Sequence, residues 1–394
     1  MPLTHVDLFA GVGGFTLGLE QTGGFDTRLL VDSDESAVKT FKRNRPRIPY
    51  WRTDLRSARP EQLGEFATVE VGELDLLTAG PPCQGLSKVG MRQLDDPRNA
   101  LLAKTAELIA ALRPAAAILE NVPALSWDGH SALFDEIQTV LADAGYRSTS
   151  SVLEAWRFGV PQLRRRLFIF AVRDDQALEP SSLCPVGAAL PGFTARELIR
   201  AAEEGRPSCP PGLSVEEAIG DLPAIPAGGG EEITAYTTEA QSDYQRARRE
   251  SAQLLFNHRA RTHSKSMLEK IDMIDEGRRN FELPDARRLK GEAGEYYSQA
   301  YARLHRHGIA QTITTYFHNP GSGRFTHYRD SRAITVREAA RFQSFDDRFM
   351  FLGTSQDQLR HVGNAVPPLL AEAIGQEYID ALSRRPASNV LDAA

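Results

Sequence analysis

The sequence predicts an α/β fold: a parallel sheet with helices packed against it, followed by a smaller, irregular region. Three observations carry this expectation. Short apolar runs alternate with helix-length segments from His5 to Val172, which is the pattern of βαβ units. The first run leads straight into a glycine-rich stretch, Gly11-Val-Gly-Gly14. The alternation then stops at a Pro/Gly-rich segment beyond Asp175. With 394 residues and about 150 residues per domain, two or three domains are expected.

The elements follow in order. His5–Phe9 reads as a strand, Gly13–Gln21 as a helix, Thr27–Val31 as the next strand and Glu35–Arg43 as the next helix. Leu74–Thr78, Ala115–Leu119 and Leu167–Val172 are further strands, with helices near Asn99–Leu112 and Ser131–Ala144. In such sheets ligands bind along the edge formed by the carboxyl ends of the strands. Pro180–Glu232 reads as irregular connection outside the core, and Gln241–Gly308 is helical in propensity and rich in Arg. Tyr316–Tyr328 is a loop dense in Gly, Asn and aromatics. Thr335 and Glu338 have capping-box spacing for a helix through Phe342, and Ala371–Ser383 reads as a final amphipathic helix.

Composition bounds the class. A chain that is 41% hydrophobic and 25% charged folds as a soluble protein. No apolar run approaches the ~18 residues of a membrane span, and Met1–His5 has no signal-peptide pattern. Three cysteines, Cys83, Cys184 and Cys209, make no disulfide framework, which points to a reducing cytoplasm. The net charge of −6 argues against a nucleic-acid partner at the scale of the whole chain. Counted by region, Gln245–Arg337 holds 18 Lys and Arg against 10 Asp and Glu, leaving −14 for the remainder. An acidic body carries a basic segment, which suits either a solvated helical face or a polyanion contact.

Four motifs carry chemistry. Asp7-Leu-Phe-Ala-Gly-Val-Gly-Gly-Phe15 is a strand, a glycine-rich turn and a helix start, where the backbone can approach a ligand and the helix dipole adds positive potential. Asp32 ends the next strand, suited to accept from ribose hydroxyls. The third glycine of GxGxxG is out of place, so a dinucleotide fits poorly. Ala79-Gly-Pro-Pro-Cys-Gln-Gly-Leu-Ser87 follows a strand and holds Cys83 in a stiff, polar loop, the setting of a nucleophile more than of a core filler. Cys184 and Cys209 lie in irregular sequence and read as small buried hydrophobes. Glu120, in Glu120-Asn-Val-Pro123, ends an apolar strand and is a candidate acid if that strand neighbours the Cys83 loop. In Gln162-Leu-Arg-Arg-Arg166 strand alternation puts Arg164 and Arg166 on one face, a compact site for a substrate oxygen or phosphate or an edge-strand charge cluster.

Together and in this order, DLFAGVGGF, Asp32, Asp54-Leu55, GPPCQGLS, ENVP, QLRRR, Thr335-Val-Arg-Glu-Ala-Ala-Arg-Phe-Gln343 and Gly363-Asn-Ala-Val-Pro-Pro368 resemble the DNA (cytosine-5) methyltransferase family of bacterial restriction-modification type. The resemblance runs from residue 7 to residue 368. It implies a Rossmann-like S-adenosylmethionine-dependent methyltransferase sheet with helices on both faces and a smaller target-recognition domain. The implied division is 1–178 catalytic and cofactor-binding, 179–359 target-recognition, and 360–394 returning to the catalytic domain.

The resemblance also implies a mechanism. Cys83 thiolate adds to cytosine C6, Glu120 holds a proton at N3, Arg166 reaches the base's O2 and Arg164 lies nearby. The cofactor, S-adenosylmethionine, becomes S-adenosylhomocysteine. It would meet Phe9, Ala10, Gly11, Gly13, Gly14 and Phe15 at the first turn, Asp32 at the ribose, and Asp54 and Leu55 at the adenine. Pro81, Asn364 and Ala365 would complete its site. Family members often carry Glu and a bulky residue where this chain has Asp32 and Ser33, which alters the ribose contact. Double-stranded DNA is the implied partner, with Gln84, Ser87, Thr315 and Arg324 as its contacts and the loop Thr314–Tyr328 as the base reader. A monomer is expected, in the cytoplasm and off the membrane, with a cognate restriction endonuclease acting without direct contact.

No metal is expected. His258, His263, His305, His307, His318 and His327 lack ligand spacing and read as surface or DNA-proximal groups. Three other readings share features of the chain: a tRNA-directed cytosine methyltransferase, a nicotinamide dehydrogenase built on the glycine turn and Asp32, and a catalytically inactive DNA-binding relative.

Overall fold

The computed structural model describes residues 1–82, 100–127, 131–185, 193–203, 209–279 and 300–384. The first half runs β1 (Leu3–Leu8), α1 (Gly14–Gln21), β2 (Phe25–Asp32), α2 (Glu35–Asn44), β3 (Tyr50–Arg52), α3 (Pro60–Ala67), β4 (Leu76–Ala79), α4 (Ala100–Leu112), β5 (Ala116–Asn121), α5 (Ser131–Asp143), β6 (Tyr146–Glu154), β7 (Gln162–Leu163) and β8 (Arg165–Arg173). Seven strands form one sheet in the order β3-β2-β1-β4-β5-β8-β6.

The sheet is mixed. β1 to β5 pair in parallel, but β8 lies antiparallel to both β5 and β6. This corrects the all-parallel expectation: β6 and β8 are joined by a short return (155–164), with no crossover helix to keep them parallel. The strands β3 and β6 and the helix α3 escape the hydrophobic pattern. β3 is three residues long, and β6 carries Ser and Thr where buried strands carry aliphatics.

Alternation along the strands supplies two core layers. Leu29, Val31, Leu77, Leu119, Leu167 and Ile169 face α3, α4 and α5. Leu76, Ile118, Phe168 and Phe170 face α1 and the C-terminal helix. α1 meets that helix at backbone distance: a Cβ on Gly18 would lie 2.2 Å from the Pro368 carbonyl oxygen, and one on Gly14 2.3 Å from that of Val366. Both glycines therefore serve packing.

The second half contains α6 (Ala195–Glu203), α7 (Val215–Ile219), β9 (Gly230–Thr234), α8 (Asp243–Arg249), β10 (Leu255–Arg259), α9 (Lys265–Asp272), β11 (Ala310–Gln311), α10 (Val336–Phe342), α11 (Ser355–Asn364) and α12 (Pro368–Ser383). Serine and threonine caps start several of these helices, including the expected Thr335–Glu338 capping box of α10. β9 and β10 form a two-stranded antiparallel sheet, so the stretch 241–308 is not helical throughout. Nor does 180–232 lie outside the core: Leu183, Leu198, Leu213, Val215, Ile219 and Leu222 are buried. One cluster joins Val12, Leu17 and Ala37 of the first half to Val215, Phe317, Phe342 and Phe351 of the second.

Buried arginines knit this half. Arg341 places its guanidinium between Asp221 and Asp347, at 3.2 and 2.6 Å, with all three side chains excluded from solvent. Arg332 pairs with Glu338 at 2.8 Å. Arg337 donates to the carbonyls of Phe256, Asp346 and Phe349. No helix among the described residues is long and apolar enough to cross a membrane.

Candidate active site

The carboxyl ends of β1, β2, β4 and β5 lie side by side along one sheet edge. At the end of β1 the chain turns through left-handed conformations at Phe9 (φ 55°) and Gly11 (φ 54°). A Cβ on Gly11 would meet nothing within 4 Å, so this glycine borders open space. The Gly11 amide donates to Asp32 Oδ2 at 2.9 Å, and the Gly11 carbonyl accepts from Tyr50 Oη at 2.7 Å. Asp32 Oδ1 accepts from the Asp34 amide at 2.9 Å. Burial raises the Asp32 pKa against these backbone hydrogen bonds. Each carboxylate oxygen has two acceptor sites and spends one on the backbone, leaving room for a diol.

The other expected cofactor residues divide. Phe9 and Ala10 are half-buried at the rim. The Phe15 ring lies in the core, edge-on to Phe168 at 6.4 Å, and Leu55 is buried in the opposite layer. Both side chains are engaged in core packing. A Cβ on Gly13 would strike the Phe41 ring at 2.4 Å. Asp54 is half-exposed and gripped by Arg56, whose Nη2 lies 2.6 Å from Oδ2, a pairing that lowers its pKa. Asn364 is exposed at the end of α11 and Ala365 is buried behind it.

Beneath the turn sits a charge that the motif reading passed over. Asp7 is 3% exposed and accepts from Thr16 Oγ1 and Thr78 Oγ1, each at 2.8 Å. Burial outweighs those bonds and raises its pKa to about 7. His5 next to it bonds Thr27 and Thr78 at 3.0 and 2.8 Å, and burial lowers its pKa to about 3. An acid set between Val6 and Leu8 in a buried strand was the available signal.

At the other end of the edge, Glu120 and Arg166 meet. Arg166 Nε lies 2.9 Å from Glu120 Oε1, with side chains 17% and 12% exposed. The approach is off the hydrogen-bond direction, so Oε1 keeps its acceptor capacity, with no hydrogen-bond partner among the described residues. Burial lowers the Arg166 pKa while Glu120 opposes that shift. β5 pairs with β4 in register, Ala79 opposite Leu119. Gly80 therefore stands over the carboxylate, where a Cβ would come 3.7 Å from Glu120 Oε2. Asn121 Nδ2 donates to the Pro81 carbonyl at 3.1 Å. This bond fixes the chain as it enters the segment with Cys83, Gln84 and Ser87, which lie outside the described residues.

Arg164, expected near Arg166, feels the charges of both Arg166 and Glu120. It precedes β8 and is 1% exposed. Its Nη1 donates to the carbonyls of Ile313 and Gly363 at 3.1 and 3.2 Å. Burial, with Arg166 acting in the same direction, pushes its pKa down. Gln162 extends the same joint, donating to Gln343 Oε1 and accepting from the Ile313 amide. Gln343 in turn donates to the Val362 carbonyl at 2.6 Å. Three distant motifs thus converge through amides and one guanidinium, which sequence spacing could not reveal.

Of the expected DNA contacts, Thr315 is half-buried in the turn after Ile313. Arg324 is 2% exposed, its Nη1 donating to the carbonyls of Gly277 and Arg303. Its Nη1 is thus committed to backbone acceptors. Arg248, Arg303, Arg332 and Arg337 of the basic segment are buried as well. His258 and His327 are also buried, not on the surface. Cys184 is buried and Cys209 is partly so, with burial pushing the Cys209 thiol up to about 12, which fits inert core cysteines. Among the described residues no group of three or more His, Cys, Asp or Glu could hold a metal ion.

Comparison with known proteins supplies context for this edge. The family model for C-5 cytosine-specific DNA methylases matches residues 3–380. The chain is 30% identical over 389 residues to the Type II methyltransferase M.DdeI of Desulfomicrobium norvegicum, covering 94% of this chain and 87% of that one. It is 31% identical to the Type II methyltransferase M1.HphI of Haemophilus parahaemolyticus, covering 96% and 87%. Among solved structures, a chain described as a DNA modification methyltransferase encoded within an E. coli prophage superposes with TM-score 0.72 at 23% identity, over 97% of this chain and 99% of that one. At that identity the likeness speaks for the fold.

Proposed function

The chain belongs to the C-5 cytosine-specific DNA methylase family, and from that premise we propose that it methylates C5 of a cytosine within a specific duplex sequence, through a covalent Cys83 adduct on a flipped base. The observation that carries the reading is the Glu120–Arg166 pair at 2.9 Å, next to the Asn121-held strand end that leads into Cys83.

Cytosine C5 is a weak nucleophile until the ring is activated. The Cys83 thiolate adds to C6, and the electron pair displaced toward N3 is met by the proton that Glu120 holds. Sulfur suits the step, being strongly nucleophilic and a workable leaving group. Arg166 keeps the Glu120 carboxyl in place and offers its remaining donors to the base's O2. Once C5 has taken the methyl group, a base removes the C5 proton, the freed electron pair expels the thiolate, and N3 returns its proton to Glu120. These contacts strengthen as the ring gains electron density, which is how a site raises kcat.

S-adenosylmethionine supplies the electrophilic methyl group. Gly11 borders the space it would take, Asp32 retains acceptor sites that would receive the ribose hydroxyls, and Asp54 would accept from the adenine amino group once Arg56 yields. The target carbon is buried in duplex DNA, so the base must leave the stack. Residues 179–359 would serve target recognition and 360–394 would return to the catalytic body. The family context and the Type II relatives favour a restriction-modification role.

Incubation with labelled cofactor and either duplex DNA or tRNA tests the reading. Label is expected in DNA; label confined to tRNA would contradict it. Cys83→Ser should abolish transfer and still bind DNA.

A further inference from the structure

The turn after Ile313 carries exposed side chains near the catalytic edge. Its root is fixed: Arg164 holds the Ile313 carbonyl, and Gly363 packs so tightly that a Cβ there would lie 2.6 Å from the Thr315 nitrogen. Its interior is fixed too. Thr314 Oγ1 accepts from the Tyr316 amide at 3.2 Å, and the Tyr316 carbonyl accepts from the Asn319 amide and from Ser322 Oγ. Phe317 and Pro320 anchor the turn in the core while Tyr316 stands 51% exposed. An exposed aromatic on a backbone this constrained can stack with little further ordering cost.

Two polar groups lie near one another at this turn, His318 and Arg261. His318, two residues on, has Nδ1 buried with no hydrogen-bond partner among the described residues. Burial, followed by the nearby Arg261 and His263, lowers the His318 pKa to about 4, so it is a neutral hydrogen-bonding group at physiological pH. His263 is already engaged, its Nε2 accepting from the Ala333 amide at 3.1 Å. Arg261 lies where β10 runs out. Along that stretch burial alternates, with His258 and Ala260 inside and Arg259 and Arg261 outside. Arg261 has no carboxylate partner among the described residues, unlike Arg306, which is paired with Glu276.

We propose that Tyr316, His318 and Arg261 form one DNA-gripping contact beside the catalytic edge: Tyr316 stacks on a base, Arg261 pairs with a backbone phosphate, and His318 contributes a neutral hydrogen bond. This deepens the methyltransferase reading and rests on it. Combining aromatic stacking with a cation fits nucleic acid better than a protein partner.

The test uses the full-length chain and a duplex bearing the sequence that wild type methylates. Tyr316→Ala should weaken duplex binding about tenfold, Tyr316→Phe should stay within about twofold, and both should bind S-adenosylhomocysteine like wild type. Arg261→Gln should flatten the slope of log affinity against log salt by about one. Unaltered affinity in Tyr316→Ala and an unaltered slope in Arg261→Gln, with wild type methylating normally, would overturn this contact alone. Failure of wild type to methylate any duplex would overturn the underlying reading as well.

Discussion

Burial shifts Asp7 and His5 in opposite directions beneath the glycine turn. Asp7 has its folded pKa raised from 3.8 to about 7. The folded state therefore binds the extra proton between those values, and the stability Asp7 contributes is full below 3.8 and lost as pH rises through 7. His5 has its folded pKa lowered from 6.5 to about 3. Its contribution is full above 6.5 and lost as pH falls toward 3. Between about pH 4 and 6.5 the two oppose. Asp7→Asn removes one arm, so urea midpoints of that variant should climb more steeply with pH across this window than those of wild type. Parallel profiles would show that Asp7 ionises normally. At the catalytic edge, Glu120→Gln keeps the shape and removes the proton that N3 needs. Its kcat should fall by about a hundredfold or more, with duplex affinity retained in an anisotropy titration.

At the scale of elements, α10 is held by charges that never meet solvent. Arg341→Ala would remove the guanidinium that bridges Asp221 and Asp347, leaving Asp221 to Arg249 at 3.2 Å and Asp347 to Arg337 at 3.7 Å. Loss of one partner from such a group costs about 3–5 kcal/mol, and a chemical denaturation midpoint should drop accordingly. A near-neutral result would mean that water replaces the guanidinium. These arginines also explain what the sequence could and could not disclose. The strands β1, β2, β4, β5 and β8 were legible because period-2 aliphatics mark buried strands, and the capping boxes because their spacing is local. β6 was not, since its serines and threonines sit on an edge strand. The reversal of β8 depends on a tight return that no periodicity encodes. Glu120 and its neighbour Arg166 could be named from strand ends. Arg164 could not be separated from Arg166 by sequence, because its partners, Ile313 and Gly363, lie 149 and 199 residues away.

Charge reads differently at the scale of the whole molecule. The +8 of Gln245–Arg337 suggested a polyanion-binding face. Much of it is internal: Arg248, Arg303, Arg324, Arg332 and Arg337 are buried on carbonyls and carboxylates. Arg259, Arg261, Lys265 and Arg278 remain exposed and are the groups that could release counterions from DNA. Reversing their charge should weaken duplex binding and flatten its salt dependence. Equal reversals at the exposed Lys42, Arg43 and Arg47 should do neither. Equal sensitivity of the two sets would contradict this division of labour.

The central claim is methylation of cytosine C5 in DNA by way of Cys83. Bisulfite sequencing of plasmid from cells expressing the chain tests it most directly. Protected cytosines are expected at one recurring sequence with wild type and none with Cys83→Ser. Protection that persists in Cys83→Ser, or its absence with wild type, would contradict it.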